Sequence, residues 1–432
     1  MIDKNNSTFC VIPFVSTMIN TDTTVRYCCM PKGQTNIVRQ DSGEAYTCRD
    51  NFISDAWNSE SISSIRRDML DGKPITGCEI CYLQEQSGRK SNRQQANEEW
   101  TWRLGEDDIN ERLWQAAEQS GRLEESIAYL DLRLGNLCNL KCRMCNPWNS
   151  SQIFRETHSL IEQDSEFSKV WSRSFGKFPV DIMEEQQWFD SDIMWDQVIS
   201  LIPKLKKVYM TGGEPTLIKN NFRFMEECIR QGRTDILLFF NTNCTNLNRR
   251  FFELISEFKQ VNINASVDGT GAVNEYIRSP SNWEQVDANI RRLSSIPTVY
   301  LGLTPTVQVY NIYNIPAILD YVRNLQTEYN RSDIFVDLLI NVHPYMLNVG
   351  ILSDTMRQQA RKDIDSWLAQ WGNTVPELTI NSVRGIQGLL QAERRTDWQE
   401  QIQDLKTYTL SLDAERSQTY QVLDQRLHEL FT

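Results

Sequence analysis

The segment YLDLRLGNLCNLKCRMC, residues 129–145, runs from a short apolar strand straight into three cysteines, Cys138, Cys142 and Cys145. No fourth cysteine or histidine stands close by. A closed zinc or iron-sulfur site takes four protein ligands, so this loop is one ligand short. Thiolates at this spacing can hold three irons of a cubane and leave the fourth iron open to a substrate or cofactor. The alternative is a zinc ion whose fourth ligand comes from a distance.

Outward from this loop, the same rhythm repeats. Apolar runs at Ile127–Leu134, 206–214, 235–243, 260–269, 298–308 and 334–344 alternate with helical patterns such as NFRFMEECIRQG, RFFELISEFK, WEQVDANIRRLSS and IPAILDYVRNLQTEY. Six strand–helix units rich in Val, Ile and Leu predict an α/β fold, a partial (β/α)6 barrel of parallel strands with crossover helices. Its functional loops sit at the C-terminal strand ends, where the three cysteines lie. The segment 158–200, with Trp171, Trp188 and Trp195, is long for one crossover and is expected to elaborate the rim of the site. The predicted organisation is a small cysteine-rich module over residues 1–90, a helical connector over 91–126, the barrel over 127–349 and a C-terminal helical region over 350–432.

Composition sets the outer bounds. The chain has 432 residues, 40% hydrophobic and 24% charged, which is globular rather than disordered. Its 45 basic and 57 acidic residues leave a net charge of -12, which argues against a sequence-independent hold on nucleic acid. The first residues lack the pattern of a secretory signal and no run reaches membrane-span length, so a cytoplasmic protein without a membrane partner is expected. Eleven cysteines, clustered and odd in number, then point to metal or catalysis more than to disulfides.

The second strand run ends in YMTGGEP, and glycines at a strand end let backbone approach a ligand closely. A C-x3-C-x2-C loop after strand one and Gly-Gly-Glu-Pro after strand two together resemble the radical S-adenosylmethionine (radical SAM) superfamily. The resemblance implies that Cys138, Cys142 and Cys145 hold a 4Fe-4S cluster whose remaining iron is chelated by S-adenosyl-L-methionine. It implies that Thr211, Gly212, Gly213 and Glu214 serve the methionine amino group. NASVDG resembles the fourth-strand Ser-x-Asp-Gly of that family, which makes Ser266 and Asp268 cofactor contacts. Arg278 becomes a partner for the cofactor carboxylate, and Gln308, beside Val307, lies where the adenine rests. Met144 departs from the aromatic residue common before the last cysteine, and its flexible side chain can fill the same apolar place.

Six further cysteines precede the barrel. CVIPFVSTMINTDTTVRYCC reads as a cysteine, a hairpin and two cysteines, and GCEICYLQE adds a C-x2-C. Four thiolates can close an iron-sulfur site here, or a zinc ribbon-like one. The pattern resembles the twitch module, the shortened relative of the SPASM domain that carries an auxiliary cluster, although such modules usually follow the barrel. The resemblance implies an auxiliary 4Fe-4S cluster on Cys10, Cys28, Cys78 and Cys81. Cys29 is held in reserve, because neighbouring strand residues face opposite ways. Cys244, after the third strand, is a candidate hydrogen donor to a substrate radical, against the plainer reading of a core thiol.

The resemblance implies reductive cleavage of S-adenosyl-L-methionine to a 5'-deoxyadenosyl radical. That radical abstracts hydrogen from a ribosomal peptide or protein residue, as in crosslinking, epimerisation or splicease-type excision. The partners implied are the peptide, an electron donor such as flavodoxin or ferredoxin, and a separate peptide-recognition protein. Chemistry on a small metabolite, and a non-catalytic zinc-stabilised binding protein, are the alternatives.

Overall fold

The computed structural model describes residues 6–31, 34–88, 90–124, 127–179 and 188–432. Residues 125–126 of the expected connector and 180–187 of the expected rim segment lie outside the described residues. The described strands are β1 (Ser16–Ile19), β2 (Val25–Arg26), β3 (Tyr129–Leu134), β4 (Lys141–Cys142), β5 (Lys207–Gly212), β6 (Leu237–Thr242), β7 (Val261–Ala265), β8 (Arg278–Ser279), β9 (Val299–Leu303), β10 (Thr306–Val307), β11 (Phe335–Val336) and β12 (Leu339–Ile340). The fold is α/β, with mostly parallel strands and many helices. The chain divides into two units, one of Met1–Gly135, Glu185–Phe239 and Glu257–Lys259, the other of Asn136–Glu184, Phe240–Ser256 and Gln260–Thr432.

In the first unit β1 pairs antiparallel with β2 and parallel with β3, from Ser16↔Tyr129 to Ile19↔Leu132. Strand β3 pairs in parallel with β5 from Tyr129↔Lys207 to Leu134↔Gly212. Alternation then sorts the side chains. Leu130, Leu132 and Leu134 are buried on one face, while Tyr129, Asp131 and Arg133 share the other in register with Lys207, Tyr209 and Thr211. The N-terminal hairpin is thus continuous with the parallel strands.

In SESISSIRRDMLDG, residues 59–72, the apolar Ile62, Ile65 and Leu70 roughly keep helical spacing, and helix Glu60–Leu70 forms there with a different buried face. The inward positions are Ile62, Arg66 and Met69. Arg66 is fully buried, with Nε donating to the Pro13 carbonyl at 2.8 Å and Nη1 to the Gly121 carbonyl at 3.0 Å. Its guanidinium lies 4.2 Å from the Trp57 ring centroid. A planar cation that satisfies two carbonyls and stacks on an indole takes a position that an apolar pattern assigns to a neighbour. The connector region holds two helices, Asn92–Leu104 and Glu106–Glu118, and the first opens on a capping box between Ser91 and Gln94.

In the second unit β7 pairs in parallel with β9 from Val261↔Val299 to Ala265↔Leu303, and β9 with β11. Helices Trp283–Ser294 and Ile315–Tyr329 bury Val286, Ile290 and Leu293, and Ile318, Leu319 and Val322, respectively. The expected fifth and sixth strands each break in two. Pro305 has no N–H to continue the ladder after β9, and pairing resumes as β10 with β12. The edge at β11 is covered by helix Glu377–Gln391: the Val336 N–H donates to Thr379 Oγ1 at 3.0 Å, and Ser382 Oγ donates to the Val336 carbonyl at 3.3 Å. A C-terminal helix here closes an edge that would otherwise present free backbone groups.

Candidate functional site

The three-cysteine loop is folded by its own polar residues. Asn136 Nδ2 donates to the Pro147 carbonyl at 2.9 Å, and the Ser151 N–H to the Asn136 carbonyl at 2.7 Å. Ser150 Oγ donates to the Leu140 carbonyl at 2.7 Å and accepts from the Ile153 N–H, capping helix Ser151–Gln163. Farther round, Asn139 accepts from Asn243 Nδ2 at 3.0 Å and donates to Thr245 Oγ1 at 2.8 Å. These bonds leave Cys138, Leu140 and Cys142 in one buried cluster with Met144 and Cys145 packed against it. Met144 takes the apolar place expected of it.

Strand β4 pairs antiparallel with β8, setting Cys142 opposite Arg278. Arg278 Nη1 lies 3.8 Å from Cys142 Sγ, and its Nε lies 2.6 Å from Asp268 Oδ2. The other oxygen of Asp268 accepts from the Thr306 N–H at 2.7 Å, and its carbonyl accepts from Asn311 Nδ2 at 2.9 Å. Asp268 thus faces Arg278 as a buried ion pair without an aligned hydrogen bond. Burial pushes the Cys142 thiol up while Arg278 and Arg416 pull it down, and burial with the neighbouring Cys142 pushes Cys145 up to about 12. For Arg278, burial favours the neutral form, but Asp268 and Cys142 outweigh it and the guanidinium is held charged. Thiols this dry stay protonated until a metal displaces the proton.

Ser266 donates its N–H to the Thr242 carbonyl at 2.8 Å, placing it at the end of β7 beside β6. Gln308 is fully buried; its Nε2 donates to the Thr306 carbonyl at 3.2 Å, and its Oε1 has no hydrogen-bond partner among the described residues. A buried acceptor without a donor is costly and calls for an N–H from a bound group. Cys244 sits at φ +58°, fully buried, with its carbonyl accepting from Asn289 Nδ2 at 2.8 Å.

In the first unit Thr211 and Gly212 end β5. Gly212 has φ +122°, and a Cβ there would stand 2.7 Å from the Leu134 nitrogen. The glycine is thus required by the close approach of the neighbouring strand. Gly213 follows, and Glu214 is buried and accepts from the Thr216 N–H at 3.1 Å and the Thr216 hydroxyl at 2.7 Å, so it caps the next turn.

Cys10, Cys28, Cys78 and Cys81 line one cavity, with apolar walls from Pro13, Met30, Met69 and Ile80. Cys10 precedes the short helix Ile12–Val15, Cys28 follows β2, and Cys78 and Cys81 span the first turn of helix Glu79–Gln86. Arg93, held by Glu85 and by the Phe9 carbonyl at 2.6 Å, lies in the same wall. Burial raises Cys10 to about 12 and Cys78 to about 11. Cys29 points elsewhere: it is exposed and lines a polar cavity of about 120 Å³ with Asp131 and Lys207, which only Cys28 and Asn92 share with the cysteine cavity. Cys48 and Cys228 are fully buried in other parts of the chain. Among the described residues, no three Cys, His, Asp or Glu side chains are close enough to hold a single metal ion.

Residues 132–306 match the model of the Radical SAM superfamily. The match spans the three-cysteine loop, the Gly-Gly-Glu-Pro strand end, Ser266, Asp268 and Arg278. No curated protein matches the chain. Similar solved structures include Streptococcus suis SuiB bound to S-adenosylmethionine, at 12% identity and TM-score 0.36, covering 71% of this chain and 63% of that one. SuiB bound to its precursor peptide SuiA gives 13%, 0.36, 68% and 60% in the same order. TYW1 with a lysine-pyruvate adduct gives 15%, 0.28, 56% and 71%. The chain spans less than two thirds of the SuiB length, and likenesses this weak carry neither substrate nor reaction. No helix among the described residues is long and apolar enough to cross a membrane.

Sequence reasoning did not reach the residues that grip this loop from the C-terminal helix Trp398–Arg416, namely Tyr408, Asp413 and Arg416. The Arg143 side chain meets Asp413 some 270 positions away, and no local pattern marks such a pair.

Proposed function

We propose that this radical SAM enzyme carries two iron-sulfur clusters, binds S-adenosyl-L-methionine and modifies a ribosomal peptide or a protein side chain. The observation that carries the reading is the asymmetry of the two thiol sets. The buried Cys138 and Cys142 and the partly buried Cys145 stand with a cation beside Cys142 and an orphaned acceptor on Gln308, while four other cysteines line a cavity of their own.

The residues fit the groups assigned to them. Cys138, Cys142 and Cys145 would hold the 4Fe-4S cluster, and Arg278, paired with Asp268, would meet the cofactor carboxylate in a planar fork. Gln308 Oε1, after β10, offers an acceptor suited to an adenine amino group, and Ser266, after β7, is proposed as a further cofactor contact. In the first unit, Thr211, Gly212, Gly213 and Glu214 are proposed to serve the amino group. When bound, the cluster and S-adenosyl-L-methionine supply reductive homolysis of a sulfonium C–S bond and a 5'-deoxyadenosyl radical. The protein's own work is to bind and orient: the apolar wall around Cys138, Leu140 and Cys142 excludes water, and Asp268 keeps Arg278 charged.

Cys10, Cys28, Cys78 and Cys81 would fill every thiolate position of an auxiliary 4Fe-4S cluster, which favours electron relay or structural support over substrate ligation. Cys28 takes the fourth place because it lines the cavity, while Cys29 faces the polar one. The peptide substrate rests on the resemblance of this module to twitch modules of peptide-modifying enzymes. An electron donor such as flavodoxin or ferredoxin completes the system. The test incubates anaerobically reconstituted enzyme, S-adenosyl-L-methionine and dithionite with peptides encoded beside it, and weighs the products. A mass change in one peptide is expected; a small-molecule product with every peptide unchanged would overturn the peptide reading.

A further inference from the structure

Cys142 lies between Lys141 and Arg143, and both neighbours are held by the same distant helix. Lys141 Nζ is 2.8 Å from Glu156 Oε1, and Arg416, at the last turn of helix Trp398–Arg416, grips both oxygens of Glu156 at 2.9 and 2.5 Å. The Arg416 and Glu156 side chains are only 1% and 2% exposed. Arg143 is fully buried; its Nη2 bonds to Asp413 and, at 3.1 Å, to Gln418 Oε1, and its guanidinium lies 3.7 Å from the Tyr276 ring centroid. Tyr408 Oη donates to the Arg143 carbonyl at 2.8 Å. Asp413 is fixed in turn by the Tyr420 N–H at 2.8 Å.

Such contacts are poor sources of net stability, because desolvating the charges offsets most of their attraction, but they impose a geometry. Alternation along β4 turns Lys141 away from the face of Cys142, and Arg143 begins the turn that follows, so holding these two flanking residues fixes the backbone that carries the thiol. Two donors remain: Arg143 Nη1 and Arg416 Nη1 are buried without a hydrogen-bond partner among the described residues.

We infer that helix Trp398–Arg416 is part of the cluster site, with Asp413 and Arg416 as positioning residues that hold Cys142 from both sides and Arg416 supplying a buried positive charge beside the cluster. The inference rests on the radical cluster proposed above. A cation near a cluster favours the reduced, more negative state, and an anion disfavours it. The two members of one ion pair must therefore shift the potential in opposite directions.

The test is an EPR-monitored redox titration of full-length, reconstituted protein, following the signal that changes when S-adenosyl-L-methionine is added. Arg416→Gln is expected to lower the midpoint potential, Glu156→Gln to raise it, and Arg416→Lys to stay near the unsubstituted protein. The lysine variant keeps the charge, so it remains informative where the glutamine variant fails to fold. Unmoved potentials in both glutamine variants, a shift in the same direction, or an Arg416→Lys potential as low as that of Arg416→Gln would overturn the inference. An unsubstituted protein with no signal responsive to S-adenosyl-L-methionine would instead sink the cluster reading itself.

Discussion

Gly212 shows how close packing alone can require a glycine. A side chain there would collide with the backbone of β3 and would force a non-glycine residue to φ +122°. Gly212→Ala is expected to lower folding stability by about 2 kcal/mol, read by denaturant unfolding. Asp268 has a narrower task. Asp268→Asn leaves Arg278 buried without its counter-charge, which predicts a loss of about 3 kcal/mol in stability and a KM for S-adenosyl-L-methionine raised about tenfold in the 5'-deoxyadenosine assay. The thiols add a pH dependence. Burial lifts Cys10 from 9.0 to about 12 and Cys78 to about 11. The folded, metal-free chain holds these protons more tightly than the unfolded one. Its stability is therefore full below about pH 9 and falls as pH rises toward 11 to 12. Thermal unfolding of metal-free protein from pH 7 to 11 reads this directly, with a steady decline expected only above pH 9. The three clustered cysteines and the strand-end glycines stand out in sequence by their spacing, and the roles proposed for them come from the resemblance. The pairing of Asp268 with Arg278 was not, because both read as independent cofactor contacts.

Secondary-structure elements were legible where burial repeats with a period. Strands β3, β5, β6, β7 and β9 fall within the apolar runs, and helix Glu60–Leu70 falls on its pattern. The failures have physical causes. Arg66 occupies an inward position by satisfying carbonyls, which hydrophobicity cannot foresee. Pro305 splits a run that looks continuous. Residues 377–391 read only as part of a C-terminal helical region, and which of its side chains meet the strands was not legible: two hydroxyls of helix Glu377–Gln391 complete the backbone of Val336. Thr379→Val keeps the shape and removes the acceptor for the Val336 N–H, which predicts a loss of about 1–2 kcal/mol. Amide exchange at Val336, expected to quicken in that variant, tests the edge-covering role separately from global stability.

At the scale of the molecule, the chain assembles two thiol sets of different kinds: four cysteines around a cavity in the first unit, and three on one loop in the second. The incompleteness of the second set was readable from sequence, since no fourth ligand follows Cys145. The dependence of that loop on residues 408–418 was not, because it exists only after folding. The most direct measurement counts iron and follows S-adenosyl-L-methionine cleavage in anaerobically reconstituted protein and in its Cys142→Ala and Cys78→Ala variants. The account predicts brown protein with about eight irons, two cubanes of four, and formation of 5'-deoxyadenosine with dithionite. Each variant should hold about half that iron, and cleavage should vanish in Cys142→Ala. Colourless protein binding about two zinc ions, with no 5'-deoxyadenosine formed, would contradict it.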